Sequence, residues 1–166
     1  MNMIKYIDYN DSLLNLIYSF INYNTKPNSA IVFDIDDTLI FWKNSKINKP
    51  LKKIYDLALK RGIAIFIITA RLENHTNINY TINQLKNKGF GNYNRLYLMP
   101  YKYLQERKVG LYKYNVRNLI NKKYKIICNF GDQWTDFYIN RNISNLNNYI
   151  VLIIENNLLS LKLKNV

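Results

Sequence analysis

The chain has 166 residues, of which 48% are hydrophobic, including 15 tyrosines; this composition predicts one globular domain and excludes an intrinsically disordered chain. The excess of 24 Lys and Arg over 11 Asp and Glu gives a net charge of +13, which either favours polyanionic partners or reflects the Asn, Lys, Ile and Tyr bias of an A/T-rich genome. The single cysteine, Cys128, excludes an internal disulfide, and without a second cysteine or a histidine cluster no zinc site is predicted.

Helical patterns alternate with short apolar runs along the chain. The first helix begins at Asp11 or Ser12, either of which can cap it. The predicted helices cover about 11–22, 50–61, 74–88 and 111–122, with a short helix after Asp132 and a polar, aromatic loop after Pro100. The predicted strands are AIVFDI at 30–35, IAIFIIT at 63–69, RLYLM at 95–99, KIICNFG at 125–131 and YIVLII at 149–154. The C-terminal LLSLKLKNV fits either a strand or a helix.

Five apolar strands separated by helices are typical of a parallel sheet that is covered on both faces. The predicted fold class is therefore α/β: a Rossmann-like, doubly wound parallel sheet of about five strands. We expect one domain over 1–166, with an N-terminal helical segment at 1–28 and a catalytic core at 30–154. Ligands of such sheets bind beyond the carboxyl ends of the strands.

Acidic residues follow two of the predicted strands at this edge. Asp34 and Asp36 lie two positions apart, and carboxylates held so close need a cation or a shared proton. Asp132 and Asp136 are spaced i, i+4, so a helix there would place both on one face. Hard oxygen ligands without His or Cys predict Mg²⁺ as the cofactor.

Groups that suit a phosphate are predicted at the same edge. Thr69 ends the second strand, and its hydroxyl, together with the backbone N–H groups that are expected to enter a helix after it, would bind phosphate oxygens. Lys113 is the predicted cation, with Lys102 and Lys108 as rivals in the nearby loop. Metal, carboxylates, hydroxyl and cation around one phosphate predict phosphoryl transfer.

Four motifs resemble those of a known family. DIDDT at 34–38 is similar to the DxDxT signature of the haloacid dehalogenase superfamily of phosphatases. IITAR at 67–71, Lys113 in YKYNVR, and GDQWTD at 131–136 follow in the order of that family. The combination looks closest to the class IIIB acid phosphatase branch, and the resemblance spans about 30–137.

The resemblance implies a role for each matching position. Asp34 would be the nucleophile that forms an aspartyl-phosphate, and Asp36 would be the general acid and base. Thr69 and Lys113 would hold the phosphate. The implied Mg²⁺ ligands are Asp34, the backbone carbonyl of Asp36, Asp132, and Asp136, the last either directly or through a bound water. Arg71 and Arg117 would orient the site or an anionic substrate.

The sequence therefore predicts an Mg²⁺-dependent phosphomonoesterase without a substantial cap domain, since only short segments separate the motifs. Its expected substrate is a nucleotide or the phosphorylated end of a nucleic acid. Aromatic residues predicted near the site, Trp42, Tyr101 and Tyr103, either stack on a base or pack at the rim. A sugar-phosphate phosphatase, a non-catalytic binding or storage protein, and a nucleic-acid-binding module are the alternatives. The absence of a signal-peptide pattern and of a membrane span predicts a cytoplasmic protein with no membrane partner.

Overall fold

The structure, a computed structural model, describes residues 2–4, 11–137, 151–155 and 158–163, with side chains for 11–137 and 158–163. The helices are α1 (Asp11–Asn24), α2 (Lys49–Lys60), α3 (His75–Asn87), α4 (Tyr101–Gln105), α5 (Val109–Asn121) and a 3-10 helix, Trp134–Asp136. The strands are β1 (Asn2–Ile4), β2 (Ser29–Phe33), β3 (Ala64–Leu72), β4 (Arg95–Met99), β5 (Lys125–Gly131), β6 (Val151–Glu155) and β7 (Leu158–Lys162).

These seven strands form one sheet in the order β1-β6-β7-β5-β2-β3-β4. The five strands from β7 to β4 pair in parallel, whereas β6 pairs antiparallel with both β7 and β1. The predicted α/β fold with five parallel strands is therefore confirmed.

Several local predictions were wrong, and the N-terminal segment 1–28, predicted as helical, also contains the strand β1. The predicted fifth parallel strand at 149–154 coincides with β6, which is antiparallel to β7; positions 149 and 150 lie outside the described residues. Only two residues separate β6 from β7, and so short a connection allows only an antiparallel hairpin. The fifth parallel strand is β7, which the sequence pattern left undecided, and the loop predicted after Pro100 contains the short helix α4.

The sheet separates two hydrophobic cores, as the alternation of side chains along β2 shows. Ile31 and Phe33 point into a core with the buried faces of α1 and α2, whereas Ala30 and Val32 point into a second core with α5. Successive strand residues face opposite sides, so a fully apolar strand needs a covering layer on each side. Both layers are present, and they fix the strand ends that carry the acids.

Asparagines begin two of the helices that frame the site. The Asn48 side chain accepts a hydrogen bond from the backbone N–H of Leu51 at the start of α2, and Asn74 accepts one from Asn77 N at 2.9 Å at the start of α3. Such caps satisfy backbone donors that have no partner within the helix. Throughout the described part of the chain, helices fall short of the length and hydropathy that crossing a membrane requires.

Candidate active site

The ends of β2, β3 and β5 meet beneath an open cavity of about 500 Å³. The pairing of β2 with β5 continues into Asp34, whose backbone N–H donates to Phe130 O at 3.0 Å. The Asp34 side chain is thereby fixed at the floor of the cavity. The cavity is lined by Asp34, Asp36, Asp37, Trp42, Ala70, Val109, Lys113, Asp132, Gln133 and Thr135.

A buried lysine binds the predicted nucleophile. Lys113 lies on α5 and is 3% exposed; its Nζ donates to Asp34 Oδ1 at 2.7 Å and also to Asp136 Oδ1. Lys102 and Lys108 are exposed, and Lys108 instead pairs with Glu106 at 2.9 Å. Of these three lysines, the structure brings only Lys113 to the carboxylates.

Three buried carboxylates converge beside this lysine. One oxygen atom each from Asp34, Asp132 and Asp136 lies within 4.8 Å of the others. Three carboxylates carry more negative charge than one ammonium neutralises, and buried charges need partners. The donors are hard oxygens, so the residues fit Mg²⁺ or a similar divalent cation. The Asp36 carboxylate is outside this cluster.

Burial and mutual repulsion perturb the charges of this cluster. Burial raises the pKa of Asp34 well above its ordinary value; Lys113 opposes this shift, and Asp136 and Asp132 add to it. Burial, followed by the charge of Asp136, raises the pKa of Asp132 to about 6. Burial disfavours the ammonium of Lys113, but Asp136 and Asp34 outweigh it and raise its pKa. Because the pKa values of Asp34 and Asp132 are raised, a divalent cation that binds these carboxylates would compete with protons.

The GDQWTD segment forms a tight turn that carries Asp136. The predicted helix over 132–136 is only the 3-10 turn Trp134–Asp136, so Asp132 and Asp136 converge through the turn instead of along one helix face. The backbone N–H of Gln133 donates to Asp136 Oδ2 at 3.0 Å, and Asn129 Nδ2 donates to Asp136 O at 2.8 Å. A Cβ at Gly131 would lie 2.2 Å from Asp136 Oδ2, so the turn requires glycine there.

Asp36, the predicted acid and base, forms a two-point ion pair. Arg71 Nε donates to Asp36 Oδ2 at 2.9 Å and Nη2 donates to Oδ1 at 2.6 Å. Arg71 Nη1 also donates to the buried Thr81 hydroxyl at 3.1 Å. Bidentate pairs of this kind fix direction as well as position, so Arg71 holds Asp36 at the edge of the cavity.

Two other predicted residues lie behind the cavity wall. Thr69 is 1% exposed, and its Oγ1 accepts a hydrogen bond from Arg71 N at 3.2 Å. The prediction that the chain enters a helix directly after Thr69 was wrong, because β3 continues to Leu72. Arg117 donates to Phe137 O at 3.3 Å, and burial lowers its pKa to about 10. Neither residue is part of the cavity lining.

Trp42 is the exposed aromatic residue of the cavity wall. Its side chain is 71% exposed, and its backbone N–H donates to Asp37 Oδ1 at 2.9 Å. Asp37 adopts a positive φ of 54°, which turns the chain sharply after the DID segment. Tyr101 and Tyr103 do not line this cavity, and Tyr103 packs on Tyr112 at a centroid distance of 5.4 Å.

Sequence reasoning missed a second buried lysine near the acids. Lys162 ends β7 and is 1% exposed; its Nζ donates to Leu163 O at 2.7 Å and lies 5.7 Å from the Trp134 ring centroid. Burial lowers its pKa, and the charges of Asp132 and Asp136 oppose that shift. Recognising LLSLK as a parallel strand would have placed Lys162 at the carboxyl edge of the sheet.

Comparison with known proteins identifies the family of this chain. A family model described as HAD superfamily, subfamily IIIB (acid phosphatase), matches residues 41–153. This match covers more than half of the chain, so the chain belongs to that family, and the predicted relationship is confirmed. The matched region begins after the DIDDT segment, whose assignment rests on its own sequence and on the geometry described above.

The similar proteins are also named as acid phosphatases. Acid phosphatase 1 of Solanum lycopersicum is 33% identical over 85 residues, which are 51% of this chain and 32% of that protein. The class C acid phosphatase of Bacillus anthracis matches with a TM-score of 0.51 and 20% identity, over 76% of this chain and 65% of that one. Its tungstate-bound structure matches with a TM-score of 0.54 and 21% identity, over 76% and 60%. The structural matches support the fold, and the chain spans about a third of the tomato protein and under two thirds of the bacterial ones.

Proposed function

We propose that the chain is a divalent-metal-dependent phosphomonoesterase that works through a phosphorylated Asp34. The observation that carries this proposal is the buried contact of Lys113 Nζ with Asp34 Oδ1 at 2.7 Å, next to two further carboxylates and beneath an open cavity. A lone buried ion pair is weak support for function. Here membership of the acid phosphatase family supports the reaction class, and the geometry of the cavity supports the choice of residues.

In the first half-reaction, an Asp34 oxygen attacks phosphorus and the bond from phosphorus to the leaving oxygen breaks. Asp36 must enter this step in its protonated form, and not in the ionised form that pairs with Arg71; it then gives its proton to that oxygen, an alcohol departs and an aspartyl-phosphate remains. Lys113 balances the charge that the phosphoryl oxygens bring next to Asp34. Thr69 lies behind the cavity wall, where its hydroxyl accepts from Arg71 N, so it positions the segment after β3 and does not face the phosphoryl group.

In the second half-reaction, water attacks the same phosphorus and the bond to Asp34 breaks. Asp36, now ionised, takes the proton from the water, and inorganic phosphate departs. Both aspartates return to their starting states. Asp36 lies at the cavity wall, where it can reach first the leaving oxygen and then the water that replaces it.

Asp34, Asp132 and Asp136 would hold the cation, together with the backbone carbonyl of Asp36. When bound, Mg²⁺ supplies electrostatic stabilisation to phosphoryl oxygens and offsets the repulsion among the carboxylates. The all-oxygen ligand set favours hard ions such as Mg²⁺, Mn²⁺ or Ca²⁺ over ions that prefer nitrogen or sulfur ligands, and Mg²⁺ is the proposed ion. Arg117 and Lys162 add positive charge behind the carboxylates.

Nucleotides or phosphorylated ends of nucleic acids are the proposed substrates. Trp42 exposes 71% of its surface beside the cavity, and aromatic rings in such positions stack on bases. The net charge of +13 would favour a polyanion. Sugar phosphates are the competing substrates, and a non-catalytic binding or storage role is the competing function.

Phosphate release tests this proposal. The wild type and Asp34→Asn are compared, with and without Mg²⁺, on nucleoside monophosphates, phosphorylated oligonucleotides and sugar phosphates. We expect Mg²⁺-dependent release by the wild type, loss of release by Asp34→Asn, and a preference for substrates that carry a base. Undiminished release by Asp34→Asn would refute the mechanism, and the absence of any release would favour the binding role.

A further inference from the structure

The loops that precede the parallel strands carry a dense group of basic residues. Parallel strands begin at one edge of a sheet and end at the other, so the segments before β2, β3, β4 and β5 share the edge opposite the cavity. The cations of these segments are Lys26, Lys60, Arg61, Lys86, Lys88, Arg95, Lys122, Lys123 and Lys125. They form what we call the amino-edge surface. All of them are exposed except Lys88, which is half-buried.

The acidic residues are concentrated at the other edge. Segments 24–29, 59–63, 86–95 and 121–125 contain no Asp or Glu. The acids that lie in connections after strand ends are Asp34, Asp36, Asp37, Glu73, Glu106, Asp132 and Asp136. Within the described residues, the cations of the amino-edge surface form no ion pairs. The strand β6 brings Glu155 to this edge, opposite Leu158 at the start of β7, so the acid is at the far side of β5 from β2.

Strand pairing joins these loops into one continuous surface. Lys125 N donates to Asn28 O at 2.8 Å, which connects the start of β5 to the loop that contains Lys26. Asn94 Oδ1 accepts from Ile65 N at 2.7 Å, which connects the loop before β4 to the start of β3. Neighbouring strands are about 4.8 Å apart, so the four loops span about 14 Å. The five residues of β2 extend for about 16 Å and separate this surface from the cavity.

Helix ends account for only part of this charge. The carboxyl end of a helix favours a nearby cation, and Lys60 and Lys86 lie in the last turns of α2 and α3. The end of α5, in contrast, is followed by three lysines within four residues, Lys122, Lys123 and Lys125. Like charges at this spacing repel one another, so the surface favours a polyanion that supplies the missing countercharge.

An exposed aromatic ring and a groove adjoin these cations. Tyr23 lies in the last turn of α1 and is 88% exposed, although large aromatic rings are usually well buried. The neighbouring groove has a volume of about 340 Å³ and lies between α1 and α2; it is lined by Tyr18, Asn22, Lys53, Asp56, Leu57 and Lys60. Asp56 is paired with Lys52 at 2.5 Å, so its charge is already balanced. A basic groove beside a free aromatic face suits a phosphate chain whose bases are unstacked.

We propose that the amino-edge surface binds a single strand of nucleic acid. Its lysines and arginines contact successive phosphates, and Tyr23 stacks on a base. A duplex offers phosphates but no free base face, and an anionic membrane offers negative charge without bases. Because this surface lies apart from the cavity, the inference goes beyond the proposed function and does not depend on it.

Removal of charge from the two edges of the sheet tests the inference. Binding of a labelled oligothymidylate of about 20 nucleotides, without a terminal phosphate, is measured by fluorescence anisotropy over a series of salt concentrations. The triple variant Lys122→Gln, Lys123→Gln, Lys125→Gln is compared with Lys43→Gln, Lys46→Gln, Lys102→Gln. The second triple variant removes three exposed lysines from the carboxyl edge, so both lower the net charge equally.

The amino-edge variant should bind about ten- to a hundredfold more weakly at about 0.1 M salt. The slope of log affinity against log salt concentration should fall by about 2, since each phosphate contact contributes roughly 0.7. The carboxyl-edge variant should change affinity by less than about threefold. Thermal denaturation checks that each variant folds.

Tyr23→Ala tests the contact with a base. It should weaken binding of the single strand at least about fivefold and leave binding of a duplex of the same length unchanged. Tyr101→Ala, at a 61% exposed position on α4, is the matched control and should change neither.

Four results would overturn the inference. They are absence of binding by the wild type at about 0.1 M salt, equal losses in the two triple variants, an equal loss for single strand and duplex in Tyr23→Ala, and tighter binding to phosphatidylserine vesicles than to the oligonucleotide. A wild type that binds the strand but releases no phosphate contradicts the proposed function and supports this inference, whereas phosphate release without strand binding does the reverse.

Discussion

Gly131→Ala would place a methyl group where the Asp136 carboxylate now lies. The new Cβ would be 2.2 Å from Asp136 Oδ2 and 2.5 Å from Asp136 Cβ, whereas ordinary contacts begin near 3.4 Å, so the whole Asp136 side chain must move by about 1 Å. That movement breaks its contacts with Lys113 and with the backbone N–H of Gln133. Breaking a buried pair costs about 3–5 kcal/mol, and we expect the free energy of unfolding to fall by about that amount.

Urea denaturation measures this loss, with Gly91→Ala as the matched control. Among the described residues, no atom beyond its two chain neighbours lies within 4 Å of a Cβ at Gly91, so the control should change the free energy of unfolding by no more than about 0.5 kcal/mol. For a slope of roughly 2 kcal/mol per molar urea, the Gly131→Ala midpoint falls by about 2 M.

The same substitution made in the Asp136→Gly variant identifies the group that the new methyl displaces. In Asp136→Gly the atoms nearest to the new Cβ are absent, so Gly131→Ala should there cost far less than in the wild type. Equal midpoints for Gly131→Ala and Gly91→Ala, or an equal cost in both backgrounds, would refute the reasoning.

Three further predictions concern the charges of the site. Arg71→Met should slow hydrolysis of alkyl phosphates by about ten- to a hundredfold in steady-state assays, because Asp36 loses its two-point support, but it should spare p-nitrophenyl phosphate, whose leaving oxygen needs little protonation. Mg²⁺ affinity, measured by calorimetry, should weaken about tenfold for each pH unit below about 6. The reason is that the pKa of Asp132 is raised to about 6, and its proton must leave before the metal binds. Lys113→Met should lower the free energy of unfolding of the metal-free protein by about 3–5 kcal/mol, because Asp34 and Asp136 lose their partner, and Mg²⁺ should restore part of it in thermal denaturation.

Each of these predictions has a contradicting result. Equal losses on alkyl and nitrophenyl phosphates would show that Arg71 does not act through Asp36. An Mg²⁺ affinity that stays constant from pH 4 to 7 would contradict the raised pKa of Asp132. Unchanged stability of Lys113→Met would show that the ion pairs contribute little.

The raised pKa of Asp132 also predicts the direction in which stability changes with pH. A carboxyl group whose pKa is higher in the folded than in the unfolded state binds protons more tightly when folded. The contribution of Asp132 to the free energy of unfolding of the metal-free protein should therefore be highest below the unfolded pKa of about 4. It should fall by roughly 3 kcal/mol as the pH rises through 6. Saturating Mg²⁺ should flatten this dependence, since it binds the ionised form.

Most of the fold was predictable because one signal dominates it. Apolar, β-branched runs between Gly, Pro and Asn breaks located β2 to β5, since strands buried on both faces leave few other patterns. Strand direction was not predictable at the C-terminus, because β6 and β7 carry similar apolar patterns. Their pairing depends on the length of the connection and on the neighbouring β5.

The site was predictable where its residues follow strands. Asp34, Asp132 and Asp136 are brought together because parallel strands end at one edge. The Arg71 pair with Asp36 and the burial of Lys162 were not predictable, since they depend on which way side chains turn after the strand has ended.

Detection of phosphate bound to Asp34 tests the central claim most directly. The wild type, mixed with substrate and Mg²⁺, is quenched in acid within one turnover and digested, and the peptide that contains Asp34 is weighed. We predict the added mass of one phosphoryl group on Asp34 in the wild type and its absence in Asp34→Asn. Phosphate release without any modified peptide at any quench time, or a phosphoryl group on another residue, would contradict the account.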